Sequence, residues 1–581
     1  MTNSPKTLSH QVNRTVRMTQ PLSRRKWLLF FYTGCQASKL RHVRHYTLHR
    51  TMAVEGVMVT YNYSNNGEYA NILTVSASGI RFSERWVLTH GSILSPLKEA
   101  KIVKKAKGKP ILSDEFYANL PEMYVTCEKR QSQHPNIYES VEKLSRERNK
   151  SQGDFEHNSY LIRVLTGRIC HVWKCPVLDR CSNDILYSWT IGHKEGDIDS
   201  QMKLGNALFS VFVLIDLESD KRGVESLRPL SSLLDVVRPP TGRGSTVEVH
   251  STPFGCEVFL NAVTQGSVCG VVGNKPSLLL TDAATALGSE GGPVFTEGPT
   301  KQLIGIVVCS VSWCRGEWVG LTLVAPLTAV LAAKLRVHVG APEAPLQPAH
   351  PLQPILTSLD SCCVLVRCGA AWGAGVYLGA GYLVTCSHVV TYYQSNKLSV
   401  YCKGVSATAI VRYKTPDKKA YDLALLFTNP DWLGHLKPAV LSNVPAERGE
   451  SVLAAGFPYF NEFDLTNLVP TITSGHVNSV SPSMIQTSCC VQSGFSGGPI
   501  VRINRSKNRA EVIGIIAMNV TIEGGGGPSF PYVNLAVPVT VFSDAFEHYM
   551  RDKDDSKLAS IENNKDTIQL QWRLMPYRSK I

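Results

Sequence analysis

A chain of 581 residues exceeds what one hydrophobic core holds, and at roughly 100–200 residues per domain it implies two to four domains. With 43% hydrophobic and only 18% charged residues it is globular, not disordered. The net charge of +13 suggests a polyanionic partner, but ten Lys and Arg fall within residues 1–51, which hold no Asp or Glu, leaving +3 for the rest. No nucleic-acid partner is therefore expected.

Taken in chain order, residues 1–51 form a basic leader whose Arg-rich, acid-free composition has the look of a mitochondrial presequence. The plainer reading is an extension upstream of a start at Met52. Its apolar run "WLLFFY" (27–32) is far short of the ~20 apolar residues a membrane helix needs, and no other stretch qualifies, so no membrane span is expected. Residues 52–338 carry short β-branched runs bounded by Gly, Pro, Asn and Ser, such as "LIGIVV" (303–308), which predict strands. A long polar insertion near 95–200, with "SRERNKSQG" and "DFEHN", is expected to be exposed. The Pro/Ala-rich "VGAPEAPLQPAHPLQP" (339–354) reads as a semi-rigid linker. Residues 355–550 return to strand-like runs such as "VIGIIAM" (512–518), and 551–581 read as the end of a helix and a tail. The fold class is all-β. The 16 cysteines lack the paired C-x₂₋₄-C spacing of zinc sites and follow no secretory signal. They read as reduced thiols, mostly small buried hydrophobes, with no metal or cofactor expected.

The two halves repeat one plan. "SGIRFSERWVLTHGSIL" (78–94) aligns without gaps on "AGVYLGAGYLVTCSHVV" (374–390), matching Gly79 to Gly375 and Thr89 to Thr385. "TDAATALGSEGGPVF" (281–295) aligns on "TSCCVQSGFSGGPIV" (487–501) in the same order, a repeat at domain scale. In the second half, Ser496 stands in the tight turn "GFSGGP", whose glycines let the N–H groups of Gly494 and Ser496 face one oxyanion. His388 follows the strand-like "GYLVTCS", so its ring emerges at a strand end. His435, His476 and His548 lack that context. Asp422 opens the apolar run "YDLALLF". The order His388, Asp422, Ser496, with steps of 34 and 74 residues, supplies base, orienting acid and nucleophile in the His–Asp–Ser sequence of the chymotrypsin plan.

"LVTCSHVV", "YDLALL" and "GFSGGP" resemble the trypsin-like serine protease family over about 355–550. The first half, through "STPFG", "FLNAV", "LLLTDA" and "GEWVG", resembles the peroxisomal members of that family that process imported enzymes. The resemblance implies tandem trypsin-like domains, each of two six-stranded barrels, the first degenerate and the second catalytic. It implies peptide-bond hydrolysis through an acyl-enzyme in the peroxisome matrix. The implied substrates are peroxisomal precursor proteins, cut at cysteine-containing sites, and the enzyme itself. Self-cleavage is expected in the exposed insertion, with Cys127 the first candidate and Cys170, Cys175 and Cys181 the alternatives. The tail residues Ser579, Lys580 and Ile581 resemble a tripeptide address read by a peroxisomal import receptor, with Ile581 departing from the usual Leu.

Other positions depart from the pattern. Phe495 replaces the aspartate through which digestive trypsins are switched on. Cys490, six residues before the nucleophile, stands at the floor of the specificity pocket in trypsin-like folds, where with Val491 it suits a small uncharged residue. In the first half Glu290 takes the place of Ser496 and Ser92 that of His388. His90 lies two residues too early, and only Asn206 stands near the acid's position. That half reads as a fold kept without its chemistry, serving to bind substrate, to stabilise the second half or to assemble homo-oligomers. Two other readings of the whole remain, a stress or quality-control protease and a non-enzymatic scaffold. The first usually carries a further peptide-binding domain, and intact His388, Asp422 and Ser496 argue against the second.

Overall fold

The computed structural model describes residues 54–64, 72–97, 114–128, 162–186, 207–218, 227–272, 277–298, 300–314, 317–337, 352–394, 397–417, 419–434, 436–458, 465, 468–504, 506–521, 529–562 and 565–573. The leader 1–51, most of the linker, Asn206, His435 and the tripeptide Ser579, Lys580 and Ile581 lie outside the described residues.

Four antiparallel β-structures follow one another along the chain. Strands β1 (Glu55–Ser64), β2 (Ile72–Arg81), β3 (Trp86–His90), β4 (Met123–Glu128), β5 (Ile162–Lys174) and β6 (Val211–Asp216) close a barrel in the order β1-β2-β3-β6-β5-β4. Strands β7 (Thr246–Ser251), β8 (Ala262–Val272), β9 (Leu278–Thr281), β10 (Pro293–Thr296), β11 (Leu303–Cys314) and β12 (Glu317–Pro326) close a second. In the second half, β13 (Cys363–Cys368), β14 (Ala371–Gly379), β15 (Tyr382–Thr385), β16 (Leu398–Cys402), β17 (Val405–Thr408), β18 (Ile410–Lys414) and β19 (Ala424–Phe427) form a seven-stranded sheet ordered β17-β16-β13-β14-β15-β19-β18. Strands β20 (Ser451–Gly456), β21 (Thr471–Ser481), β22 (Met484–Thr487), β23 (Pro499–Asn504), β24 (Arg509–Thr521) and β25 (Ser529–Pro538) close the third barrel. The architecture is thus all-β, with three closed barrels and one open sheet where four barrels were expected. Closure satisfies the edge strands of each barrel, which an open sheet leaves unpaired.

The stretch 95–200 is not simply an insertion, since it supplies β4 and β5, two of the six strands of the first barrel. Strand β4 buries Met123, Val125 and Cys127 in that barrel's core. Cys127 is therefore not on an exposed loop. It is 1% exposed and its thiol lies against the Arg163 carbonyl at 3.5 Å. Cys175 and Cys181 are also buried, and Cys170 is half-buried within β5. A cleavable bond must reach a protease as extended, accessible chain, which none of these positions offers.

The repeat seen in the sequence recurs in the backbone. Thr89 Oγ1 donates to the Ser78 carbonyl at 2.6 Å, and Thr385 Oγ1 to the Ala374 carbonyl at 2.7 Å. Both halves end alike: β12 leads through Pro326 into the helix Leu327–Leu335, and β25 through Pro538 into the helix Val539–Asp552. Each helix stops on a left-handed residue, Arg336 at φ 55° and Lys553 at φ 58°. The later helix buries Phe542 and Phe546 against the second half. The last two residues of the linker, Gln353 and Pro354, open the helix Gln353–Cys362 that leads into β13.

Candidate active site

Strand β15 is buried at every position and delivers the chain into a short 3₁₀ turn, His388–Val390. Val389 and Val390 turn inward, which leaves the His388 ring pointing out with half of its side chain exposed. Strand β19 pairs with β15 in register, Thr385 opposite Ala424, and this brings Asp422 beside the turn. One carboxylate oxygen of Asp422 accepts the His388 backbone N–H at 3.0 Å, and the other meets His388 Nδ1 at 2.5 Å. An ionised carboxylate only accepts, so Nδ1 carries the proton and Nε2 is left as the basic nitrogen. Burial acts to lower the His388 pKa, but the hydrogen bond and charge of Asp422 outweigh it and raise the pKa above the ordinary value.

The turn bearing Ser496 is fixed to the same frame. Gly494 and Gly497 have φ of 96° and 85°, and Ser496 O accepts from Ala374 N at 2.8 Å. A Cβ on Gly497 would lie 2.2 Å from the Ala374 carbonyl and 2.3 Å from Thr385 Oγ1, so only glycine fits there. A Cβ on Gly373 would meet both the Ser496 carbonyl and the Val389 side chain, at 2.6 and 2.7 Å, which places the nucleophile turn beside the histidine turn. Within the turn, the N–H groups of Phe495, Gly497 and Gly498 bond to the carbonyls of Gln492, Ile516 and Phe495. No acceptor among the described residues takes the N–H of Gly494 or Ser496. Two unspent donors, one of them the N–H of the half-buried serine itself, are what an oxyanion requires. Phe495 is fully buried in the core of the last barrel.

Cys386, His388 and Asp422 also offer three ligand atoms within 4.8 Å of one another. The Cys386 thiol, however, donates to the Ile516 carbonyl at 3.1 Å, and burial with the nearby Asp422 charge pushes its pKa well up. A metal would need that proton gone, so the group fits a histidine–aspartate pair better than a metal centre.

The first half keeps the turn with Glu290 in place of the serine. Ser289, Gly291 and Gly292 donate to Ala286, Val307 and Ser289, the pattern of the second half residue for residue. The N–H of Gly288, counterpart of Gly494, instead meets the carboxylate of Glu290 at 2.9 Å. Glu290 thus fills the oxyanion position of its own turn. At the histidine position, Ser92 N donates to Nδ1 of His90, while Nε2 of His90 meets the Phe209 carbonyl at 3.0 Å. Burial drives the His90 pKa down to about 4, so this ring is a neutral core residue. A Glu290→Ser protein that also carries Ser496→Ala is expected to stay unlabelled by a fluorophosphonate probe, because among the described residues no base is bonded to Glu290 that could take the serine proton. Labelling at 290 above the Ser496→Ala background would overturn this account.

Of the remaining expectations, Cys490 and Val491 are both buried, and the Cys490 thiol faces the first half, 3.2 Å from the Val319 carbonyl. His476 is exposed, and His548 is held by Asp554 at 3.0 Å. Trp372, absent from the sequence reading, hydrogen-bonds the Phe457 carbonyl at 3.0 Å, and its indole nitrogen would be 2.9 Å from a Cβ on Gly494. Only the pairing of "AWG" with the nucleophile turn would have singled it out.

Residues 373–515, within the second half, match the family model described as the trypsin-like peptidase domain. The chain is related, at moderate identity, to two peroxisomal leader peptide-processing proteases. It is 34% identical over 364 residues to that of Homo sapiens, covering 57% of this chain and 60% of the human one. It is 31% identical over 389 residues to that of Mus musculus, covering 62% of this chain and 64% of the mouse one. The chain therefore spans less than two thirds of the length of the curated relatives it matches. Among solved structures, a serine endoprotease from Yersinia pestis is 23% identical with a TM-score of 0.28, covering 36% of this chain and 68% of that one.

Proposed function

We propose that the second half is a serine endopeptidase and that the chain processes leader-bearing precursor proteins in the peroxisome. The observation that carries the reading is the Asp422 carboxylate gripping both the backbone and the ring of His388 beside a serine turn with two unspent N–H donors. In this reading Ser496 Oγ attacks the scissile carbonyl while His388 Nε2 takes its proton. Asp422 stabilises the imidazolium, and the N–H groups of Gly494 and Ser496 receive the oxyanion. Collapse expels the amine with the proton from His388, and water repeats the sequence to free the acid. The names of the human and mouse relatives support the substrate class and the compartment.

Incubating purified protein with peroxisomal precursors carrying cysteine-containing leaders is expected to give a single cut, mapped by mass spectrometry, that Ser496→Ala does not make. Precursors left intact by a protein that a fluorophosphonate labels at Ser496 would keep the peptidase and remove the substrate class.

A further inference from the structure

The inactive first half meets the second through equivalent strands, β8 against β21 and β12 against β25, an isologous arrangement within one chain. Gly320 and Tyr532 occupy equivalent places, each two residues before the partner of a matched threonine: Thr322 opposite Thr281, and Asn534 opposite Thr487. They touch each other. Tyr532 OH donates to the Gly320 carbonyl at 2.9 Å, and Gly320 sits at φ 66°, where a Cβ would lie 3.0 Å from the tyrosine ring. The Cys490 thiol lies 3.2 and 3.5 Å from the Val319 and Gly320 carbonyls, and Cys490 belongs to the same hydrophobic core as first-half residues such as Cys269, Leu280 and Val319. Alongside, Asp282 of the first half accepts from the N–H of Ser267 at 2.6 Å and from that of Ser474 in the second half at 3.0 Å. Arg243 Nη2 donates to both carboxylate oxygens of Asp360, at 2.6 and 2.5 Å, and its Nη1 donates to the Pro470 carbonyl at 2.6 Å.

These contacts converge on one segment of the second half. Thr473, next to Ser474, bonds the Cys490 carbonyl at 2.9 Å. Val491 N donates to the carbonyl of Pro531, the neighbour of Tyr532, at 2.8 Å. One residue further on, the Gln492 carbonyl takes the Phe495 N–H and so anchors the turn that carries Ser496. A continuous run of short contacts therefore leads from Gly320 and Asp282 to the nucleophile.

We propose that the first half is the back wall of the active centre, with Gly320, Asp282 and Tyr532 as positioning residues that set segment 489–492 and through it the Ser496 turn. The proposal rests on the serine-protease reading above. The first half is then a permanent component of the enzyme whose lost chemistry leaves its docking face in use. The occupant of that face is fixed: β12 and β8 of the same chain.

The test uses the full chain and compares Gly320→Ala and Tyr532→Phe with Val59→Ala, a truncation in the core of the first barrel remote from this contact. The readouts are the second-order rate of fluorophosphonate labelling at Ser496 per folded molecule, and kcat and KM on a leader peptide. Both interface variants are expected to label about tenfold to a hundredfold more slowly, since a displacement near 1 Å at a reacting group costs on that order. Their loss should appear in kcat as well as KM. Val59→Ala should lose thermal stability and keep wild-type labelling per folded molecule. Interface variants that label at the wild-type rate would overturn the proposal, as would a matching loss in Val59→Ala, which would mark the effect as general destabilisation. A wild type that never labels would instead bring down the protease reading, and this proposal with it.

Discussion

Ser496→Ala and His388→Ala are each expected to lower kcat/KM on a cleavable peptide by about a million-fold, and the double variant should be scarcely worse than either single one. The reason is mutual dependence. A serine hydroxyl stays protonated near neutrality, so it attacks only when Nε2 of His388 takes the proton in the same event, and the base without its nucleophile has nothing to activate. What remains in either variant is the binding of substrate and the two unspent N–H groups at Gly494 and Ser496, which alone supply weak catalysis. Neither change touches packing: Ser496 is half-buried and His388 half-exposed, so thermal stability should move by no more than about 0.5 kcal/mol. Steady-state kinetics on wild type, both singles and the double decide it. Losses that multiply in the double variant would mean that the two residues act independently and that the assignment fails.

The site was legible where its chemistry demands rare residues at places the backbone marks. His388 at the end of a buried strand and Asp422 at the mouth of an apolar run are in direct contact, and the strand pairing of Thr385 with Ala424 explains why. The matched threonines 89 and 385 were legible for the same reason, as each donates to the same carbonyl of its half. What failed was whatever depends on partners distant in sequence. Strands β4 and β5 lie among polar stretches that read as insertion, and only closure of the barrel by β1 and β6 makes them strands. Cys127 looked exposed from its polar successors, yet burial in a strand is set by the opposite face of the barrel. Cys490 looked like the floor of a pocket, and its nearest polar neighbours proved to be carbonyls some 170 residues earlier. The alignment sets Glu290 opposite Ser496, but its carboxylate turning back on Gly288 is a rotamer that no spacing encodes.

Asp422→Asn is expected to cost about four orders of magnitude in kcat and to move the acid limb of the pH profile downwards. In the wild type the histidine pKa is raised, because the bond to Asp422 and its charge outweigh the effect of burial, so the neutral base is complete only above a pH higher than the ~6.5 of free histidine. The kcat/KM profile should therefore fall as pH drops through a midpoint above that value. Asparagine removes the charge and leaves burial, which alone lowers the pKa, so the remaining activity should persist to more acid pH. Asparagine can also present its amide N–H to Nδ1, which would place the ring proton on Nε2 and remove the base. That tautomer, more than the lost charge, accounts for the fall in kcat. Stability runs with the opposite sign to activity. A raised histidine pKa contributes stability that is fully present below the unfolded pKa and lost as pH rises through the folded one. The difference in thermal stability between wild type and Asp422→Asn should accordingly be larger at pH 5.5 than at pH 8. Its size stays small, because half of the His388 side chain is open to water. Profiles with the same acid midpoint in both proteins would show that Asp422 does not set the charge of His388, and that the contact between them is a matter of position alone.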